Sequence, residues 1–123
     1  MRPDNSIDYL EFASRDLVAT KAFFVTLFGW SFQDYGPDYT AFEDGKMTGG
    51  FFHSENVLTA AEGAPLVVFY HSDLERVKTL VEKAGGVIKR DIFSFPGGRR
   101  FHFTEPGGNE FAVWSESGVD PAS

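Results

Sequence analysis

The feature that most constrains the fold of this 123-residue chain is an approximate internal repeat. Residues 16–24 (DLVATKAFF) resemble residues 73–81 (DLERVKTLV). Both begin with Asp-Leu, carry a lysine five positions after the aspartate and continue to an apolar pair. A glycine ends each segment, Gly29 in the first and Gly85 in the second, and strand-like runs lie on both sides of each. The repeat predicts two copies of one unit, ordered strand, helix and further strands.

Each repeated segment has the pattern of an amphipathic helix. Apolar side chains recur at helical spacing: Leu17, Phe24, Leu27 and Phe28 in the first segment and Leu74, Val77, Leu80, Val81 and Ala84 in the second. Ser72 and Glu75 have the spacing of a capping box, which predicts the start of the second helix. Gly29 and Gly85 stand where a left-handed residue ends a helix.

The strand-like runs place the chain in the α+β class. They cover residues 7–12, 39–42, 50–53, 66–70, 87–90, 100–104 and 111–114, and the run 66–70 is apolar throughout, which predicts burial on both faces. Two halves, each a helix on a small mixed sheet, predict sheets that curve around a cavity. We expect one domain over residues 1–123, with module one at about 6–56, module two at about 64–116 and a flexible tail at 117–123.

Composition excludes several classes of function. The formal net charge of −7 opposes binding to a phosphate backbone, so we expect no nucleic-acid partner. The chain has no cysteine, which excludes disulfides and thiolate metal sites. Neither a signal-peptide pattern nor an apolar run long enough to span a bilayer occurs, so we expect no membrane association and a cytoplasmic location. The 14 phenylalanines are suited to a core and to a pocket wall.

Four motifs in this order resemble those of the vicinal oxygen chelate superfamily, which contains glyoxalases, bleomycin resistance proteins and dioxygenases. They are the first helix with its Leu-Phe-Gly-Trp ending at 27–30, the turn at 44–46 with Gly-Gly-Phe at 49–51, the second helix, and Glu-Pro-Gly-Gly-Asn at 105–109 with Trp114. The resemblance covers residues 6–116. It implies two βαβββ modules that form an open, cupped mixed sheet around a small-molecule pocket, and a homodimer.

The resemblance also implies where a divalent metal would be bound in members that use one. The matching positions are Tyr9 in the first strand, Leu66 or Val67 in the second module, Ala112 in the last strand and Gly49 or Gly50 in the first module. None of them is a histidine or a carboxylate, whereas such an ion needs several nitrogen or oxygen donors at one point. We therefore predict no family-type metal centre and no cofactor.

Polar and aromatic residues of the strands are the candidates for a ligand site. They are Tyr9, Glu11, Phe51, His53, Tyr70, His102 and Trp114. Glu11 lies two residues after Tyr9 and shares its strand face. Glu11 would be the catalytic base of an enzyme, with Tyr9 or His53 as its polar partner. Alternatively, Glu11, His53 and His102 would hold an atypical divalent metal.

We expect a glyoxalase-like protein that binds a small, partly apolar molecule without the family metal. A second interpretation is an enzyme of the same superfamily: a metal-dependent or glutamate-based lyase or isomerase, or a dioxygenase-like enzyme. A third is a non-enzymatic dimer that sequesters a drug or has a regulatory role. These three interpretations remain open from the sequence.

Overall fold

The repeat folds as two units, each ordered strand, helix and three strands. The computed structural model describes residues 2–118, so residues 119–123 of the expected flexible tail lie outside the described part. The first unit contains β1 (Tyr9–Ser14), α1 (Leu17–Phe28), β2 (Ser31–Asp34), β3 (Tyr39–Glu43) and β4 (Thr48–His53). A one-turn 3₁₀ helix (Ala60–Glu62) precedes the second unit, which contains β5 (Val67–Tyr70), α2 (Leu74–Lys83), β6 (Val87–Phe95), β7 (Gly98–Thr104) and β8 (Glu110–Ser115).

The two units have the same sheet topology. The strand order is β1-β4-β3-β2 in the first sheet and β5-β8-β7-β6 in the second. In each sheet the strand before the helix pairs in parallel with the last strand of its unit, β1 with β4 and β5 with β8. The other neighbouring strands are antiparallel. The α+β prediction is confirmed, and neither sheet is closed into a barrel.

Local side-chain chemistry sets the ends of the helices. The Asp16 carboxylate accepts the Ala19 N–H at 3.0 Å and begins α1, and Gly29 ends it with φ of 69°. The predicted capping box of α2 is wrong. Asp73 begins that helix instead of Ser72, because its carboxylate reaches the Arg76 N–H at 3.1 Å.

One aromatic core joins the two units. The Trp30 ring lies between Phe24, at 4.3 Å between ring centres, and Phe42, at 4.6 Å. Phe24 also contacts Phe51 of the first sheet and Phe111 of the second. The core therefore fixes the position of one sheet relative to the other as well as the fold of each unit.

The core packs against only one face of each sheet. Phe12 of β1 and Phe69 of β5 point into the core, whereas their strand neighbours point to the opposite side, which we call the outer face. On that face Val68 is 39% exposed and Tyr70 is 51% exposed. The prediction that residues 66–70 are buried on both faces is therefore wrong, because the outer side of β5 is left uncovered. Within residues 2–118 no helix has the length and apolar character needed to cross a membrane.

Candidate functional site

Three side chains form a hydrogen-bonded cluster on the outer face of the first sheet. The Tyr39 hydroxyl donates to the Glu11 carboxylate at 3.0 Å and also contacts the Tyr9 hydroxyl. Because the Tyr39 proton is given to Glu11, the Tyr9 hydroxyl is the donor in the contact between the two phenols. The alternation of β1 brings Tyr9 and Glu11 to one face, as expected. Tyr39 was missed, since only the pairing of β3 with β4 brings it near β1.

The surroundings of Tyr39 keep its hydroxyl protonated. Partial burial raises the pKa of Tyr39 far above its usual value, and the hydrogen bonds to Tyr9 and Glu11 raise it further. Gly50 makes room for this arrangement. A Cβ at that position would lie 2.1 Å from the Tyr39 oxygen and 2.7 Å from the Tyr9 oxygen. Tyr39 is therefore a fixed donor that orients the Glu11 carboxylate.

A histidine–carboxylate pair lies on the outer face of the second sheet. His102 Nδ1 lies 3.0 Å from Glu110 Oε2, and the other Glu110 oxygen accepts the Ala60 N–H at 3.1 Å. His102 is only 7% exposed, and its Nε2 has no hydrogen-bond partner among residues 2–118. The Arg100 Nε is likewise buried without a partner, and its guanidinium lies 5.3 Å from the centre of the Phe93 ring. His102 was a sequence candidate, whereas Glu110 was not.

The remaining predicted residues are dispersed. The Tyr70 hydroxyl donates to Glu116 at 2.6 Å, which raises the pKa of Tyr70, and its ring packs edge-on against Trp114. His53 lies at the exposed end of β4, 3.6 Å from Glu55. Phe51 is fully buried in the aromatic core. The structure thus places Phe51 away from the outer face, because its side chain alternates toward the helices.

A cavity of about 310 Å³ lies where the two units meet, and we call it the junction cavity. Its walls come from β1, from residues 56–65 and from the start of β8. Two contacts between the units hold this region together: Asn109 Nδ2 donates to the Ala13 carbonyl at 2.7 Å, and the Arg15 N–H donates to the Gly107 carbonyl at 3.0 Å. The cavity thus lies at a fixed junction of the two units.

The junction cavity is mainly apolar. Its lining residues include Leu10, Phe12, Leu58, Pro65 and Val67, together with Glu11 and Glu110. A larger hollow of about 670 Å³ runs along α1 and the β2–β3 loop and contains none of the predicted site residues. We take the junction cavity as the candidate site, because Glu11 of the first unit and Glu110 of the second are both among its lining residues.

The residues at the family's metal positions do not fit a divalent ion. Phe12 and Phe69, 57 positions apart, are equivalent core residues, so Leu66 is the counterpart of Tyr9. Glu11 and Val68 are equivalent by the same separation of 57 positions. Glu11 pairs with Gly50 and Val68 pairs with Ala112, so Gly50 and Ala112 are equivalent as well. Of the four positions 9, 50, 66 and 112, only Tyr9 carries a side-chain oxygen.

The alternative metal cluster does not form either. Glu11, His53 and His102 are not brought together, and each has its own partner: Tyr39, Glu55 and Glu110 respectively. Within the described part of the chain, no three histidine, aspartate or glutamate side chains are grouped to hold a metal ion.

Known proteins share this architecture. The structure of a glyoxalase/bleomycin resistance protein/dioxygenase family enzyme from Burkholderia phytofirmans has 18% identity and a TM-score of 0.74, over 88% of this chain and 96% of that chain. The fosfomycin resistance protein FosX from Mesorhizobium loti has 18% identity and a TM-score of 0.73, over 90% and 92%. The lactoylglutathione lyase from Agrobacterium tumefaciens has 22% identity and a TM-score of 0.69, over 93% and 96%.

The similarity to these solved structures concerns the fold alone, whereas the family is established by a match in sequence. No curated protein matches the chain in sequence. The model of the Glyoxalase/Bleomycin resistance protein/Dioxygenase superfamily, however, matches residues 6–113. This range contains both helices, strands β1 to β7 and most of β8. The chain belongs to the glyoxalase/bleomycin resistance protein/dioxygenase superfamily.

Proposed function

We propose that this protein binds a small, partly apolar organic molecule in the junction cavity and does so without a family-type divalent metal. The observation that carries the proposal is a mainly apolar cavity between the two units, with Glu11 of one sheet and Glu110 of the other among its lining residues. Its volume of about 310 Å³ is at the lower end of the range of small-ligand sites, which favours a compact ligand. An apolar wall supplies affinity, and a few polar groups select orientation.

The comparisons support a small-molecule ligand. The similar structures include a fosfomycin resistance protein and a lactoylglutathione lyase, and each of these names refers to a small molecule. The metal-free part of the proposal is supported by the side chains at positions 9, 50, 66 and 112, which supply no adequate donor set.

The first experiment is elemental analysis of protein purified without chelators, together with thermal unfolding in the presence of divalent ions. We expect metal far below one equivalent and no stabilisation. Near-stoichiometric metal with a raised melting temperature would overturn the metal-free proposal. A screen of small molecules follows, because a ligand at about 100 times its Kd stabilises the folded state by about 2.7 kcal/mol.

A specific observation favours a second candidate function, proton transfer by Glu11. Glu11 is a lining residue of the cavity, and its carboxylate is oriented by the neutral Tyr39 hydroxyl, with Tyr9 behind it. Glu11 would take a proton from a carbon next to a ligand carbonyl and return it to another position, as in an isomerisation. With a ligand in hand, Glu11→Gln distinguishes the two functions. Retained binding with lost turnover indicates an enzyme, whereas no turnover by the unsubstituted protein indicates a binding or drug-sequestering protein.

We further propose that the chain forms a homodimer. The support is the row of exposed large side chains on the two outer faces, Tyr9 and Phe52 on the first sheet and Val68 and Tyr70 on the second. Sedimentation velocity measures the mass directly. A monomer at all concentrations contradicts this part of the proposal and leaves ligand binding unaffected.

A further inference from the structure

We infer that the outer face of the second sheet carries a further binding site, for the oxyanion of a small organic molecule, that is, a phosphate monoester or a carboxylate. Two arginines form it around the ring of Phe93: Arg90 of β6 and Arg100 of β7. None of the three residues lines the junction cavity. Because β6 is the edge strand opposite β5, the site also lies away from the exposed side chains of Val68 and Tyr70.

A β-bulge in β6 brings Arg90 and Phe93 to the same face of the sheet. In a regular strand, two residues three positions apart point to opposite faces. Arg90 pairs with His102 and Phe93 pairs with Arg100, so β6 has one residue more than β7 between these pairs. As a result, the Arg90 guanidinium lies 3.6 Å from the centre of the Phe93 ring, and the Arg100 guanidinium lies 5.3 Å from it. Bulges of this kind re-aim side chains and are frequent beside functional sites.

Neither arginine has an acidic partner. Among residues 2–118 no carboxylate lies within 4.0 Å of either guanidinium. The arginine side chains that donate hydrogen bonds in this part of the chain belong to Arg2, Arg15 and Arg99. Two like charges beside one ring repel each other, and an anion that contacts both removes this repulsion. The pair therefore lacks a partner of opposite charge, although the chain has 18 acidic residues against 11 basic ones.

Arg100 is held in a position with little access to water. The centres of the Phe93 and Phe95 rings lie 5.3 Å and 5.7 Å from its guanidinium carbon, and its Nε is buried without an acceptor among residues 2–118. Its two terminal nitrogens are not buried in this way and stay open to a ligand. A buried donor without an acceptor is rare in folded proteins. Since charges attract more strongly where water is scarce, this guanidinium favours an anion more than an exposed one does.

A second unpartnered nitrogen lies beside the arginines. The His102 ring is centred 5.9 Å from the Phe93 ring, and its buried Nε2 has no partner in the described part of the chain. Two carboxylates of the same sheet region, Glu110 and Glu116, already accept hydrogen bonds from other groups. The missing partner is therefore external. A planar guanidinium matches two oxygens of one carboxylate or phosphate, which defines the ligand class.

Three probes that share one aromatic ring test the inference: phenyl phosphate, benzoate and the neutral benzamide. Each is titrated into the full chain and followed by calorimetry and by ¹H–¹⁵N spectra that include the arginine Nε–H signals. We expect the better of the two anions to bind about tenfold more tightly than benzamide, the gain from one charge-assisted hydrogen bond. Tighter binding of phenyl phosphate assigns a phosphate monoester, whereas equal or tighter binding of benzoate assigns a carboxylate. Added salt should weaken the anions and leave benzamide unchanged.

Variants connect this preference to the two arginines. Arg90→Gln and Arg100→Gln should each lower the affinity for the better anion about tenfold without changing that for benzamide. Arg76→Gln is the matched control, since it removes the same charge from the exposed side of α2. Arg90 is exposed, so its substitution preserves the fold and keeps the test decisive even where Arg100→Gln unfolds the protein.

The inference fails if benzamide binds as tightly as both anions, if no probe binds, or if Arg90→Gln keeps the affinity of Arg76→Gln. It also fails if the anions shift only the signals of junction-cavity residues such as Leu58 and Val67. None of these results decides whether the junction cavity binds a small molecule, because the proposed function is tested by its own screen.

Discussion

Substitution of Thr20 should destabilise the protein more than its size suggests, because this threonine lies within a buried chain of hydrogen bonds. Its hydroxyl donates to the Glu105 carboxylate at 2.6 Å and lies 2.7 Å from the Ser14 hydroxyl. Since the Thr20 proton is given to Glu105, Ser14 is the donor to Thr20, and Ser14 in turn accepts the Asp16 N–H at 3.1 Å. The chain links the start of α1 to the turn before β8.

Glu105 depends on these donors. It is only 2% exposed, and besides Thr20 it accepts the Gly107 N–H at 2.6 Å, the Asn109 N–H at 3.2 Å and the Asn109 side-chain amide at 2.8 Å. Thr20→Val keeps the shape of the side chain and removes only the hydroxyl. Losing a hydrogen bond to a charged acceptor costs about 1.5–3 kcal/mol, and the Ser14 hydroxyl loses its own acceptor, so we expect a total of about 3 kcal/mol.

Urea unfolding, followed by tryptophan fluorescence, measures this loss. The midpoint of Thr20→Val should fall by roughly 1–2 M at an unchanged slope. Thr20→Ser is the matched control, because it retains the hydroxyl and loses one methyl group, which costs about 1 kcal/mol. If Thr20→Val loses no more stability than Thr20→Ser, the hydrogen-bond argument is refuted.

Three further predictions concern the core and the first-sheet cluster. Trp30→Ala should cost about 3–5 kcal/mol in chemical unfolding, because it empties the space between the Phe24 and Phe42 rings; a cost near 1 kcal/mol would contradict this packing. Gly50→Ala should lower the melting temperature through a cost of about 1–3 kcal/mol, since its Cβ overlaps the Tyr39 phenol. The raised pKa of Tyr39 stabilises the fold fully below about pH 10, the ordinary tyrosine value, and this contribution is lost as the pH rises further. The free energy of unfolding, measured below and above about pH 10, should therefore fall less with rising pH in Tyr39→Phe than in the unsubstituted protein.

The order of elements could be predicted from the sequence because the repeat is carried by local signals. Apolar spacing and the glycine at position 29 identify α1, and the structure confirms the helix and its end, although it buries Thr20 and Phe23 beside Phe24. The signals were weaker where two residues compete for one role. Ser72 and Asp73 are both good caps, and only the backbone path shows that Asp73 reaches the first turn. Strand β2 was missed, since its four residues have little apolar content and it pairs only with β3.

The candidate site was partly predictable for a similar reason. Tyr9 and Glu11 belong to one strand, so alternation alone places them on one face. Their partner Tyr39 comes from another strand, and Glu110 reaches the cavity only because the units meet at Asn109 and Ala13. Contacts between distant segments depend on register and on docking of the units, which single-sequence patterns do not encode.

The repeat has also diverged at the cavity, and this has a consequence for binding. In the first unit the carboxylate belongs to β1 at Glu11, and the β5 residue in the equivalent position is Val68. In the second unit the carboxylate belongs to β8 at Glu110, and by the same pairing its β4 counterpart is Thr48. The fold thus retains the symmetry of the repeat, whereas the polar groups do not. A cavity with unlike halves holds its ligand in one orientation, so we expect one ligand per chain rather than one per unit.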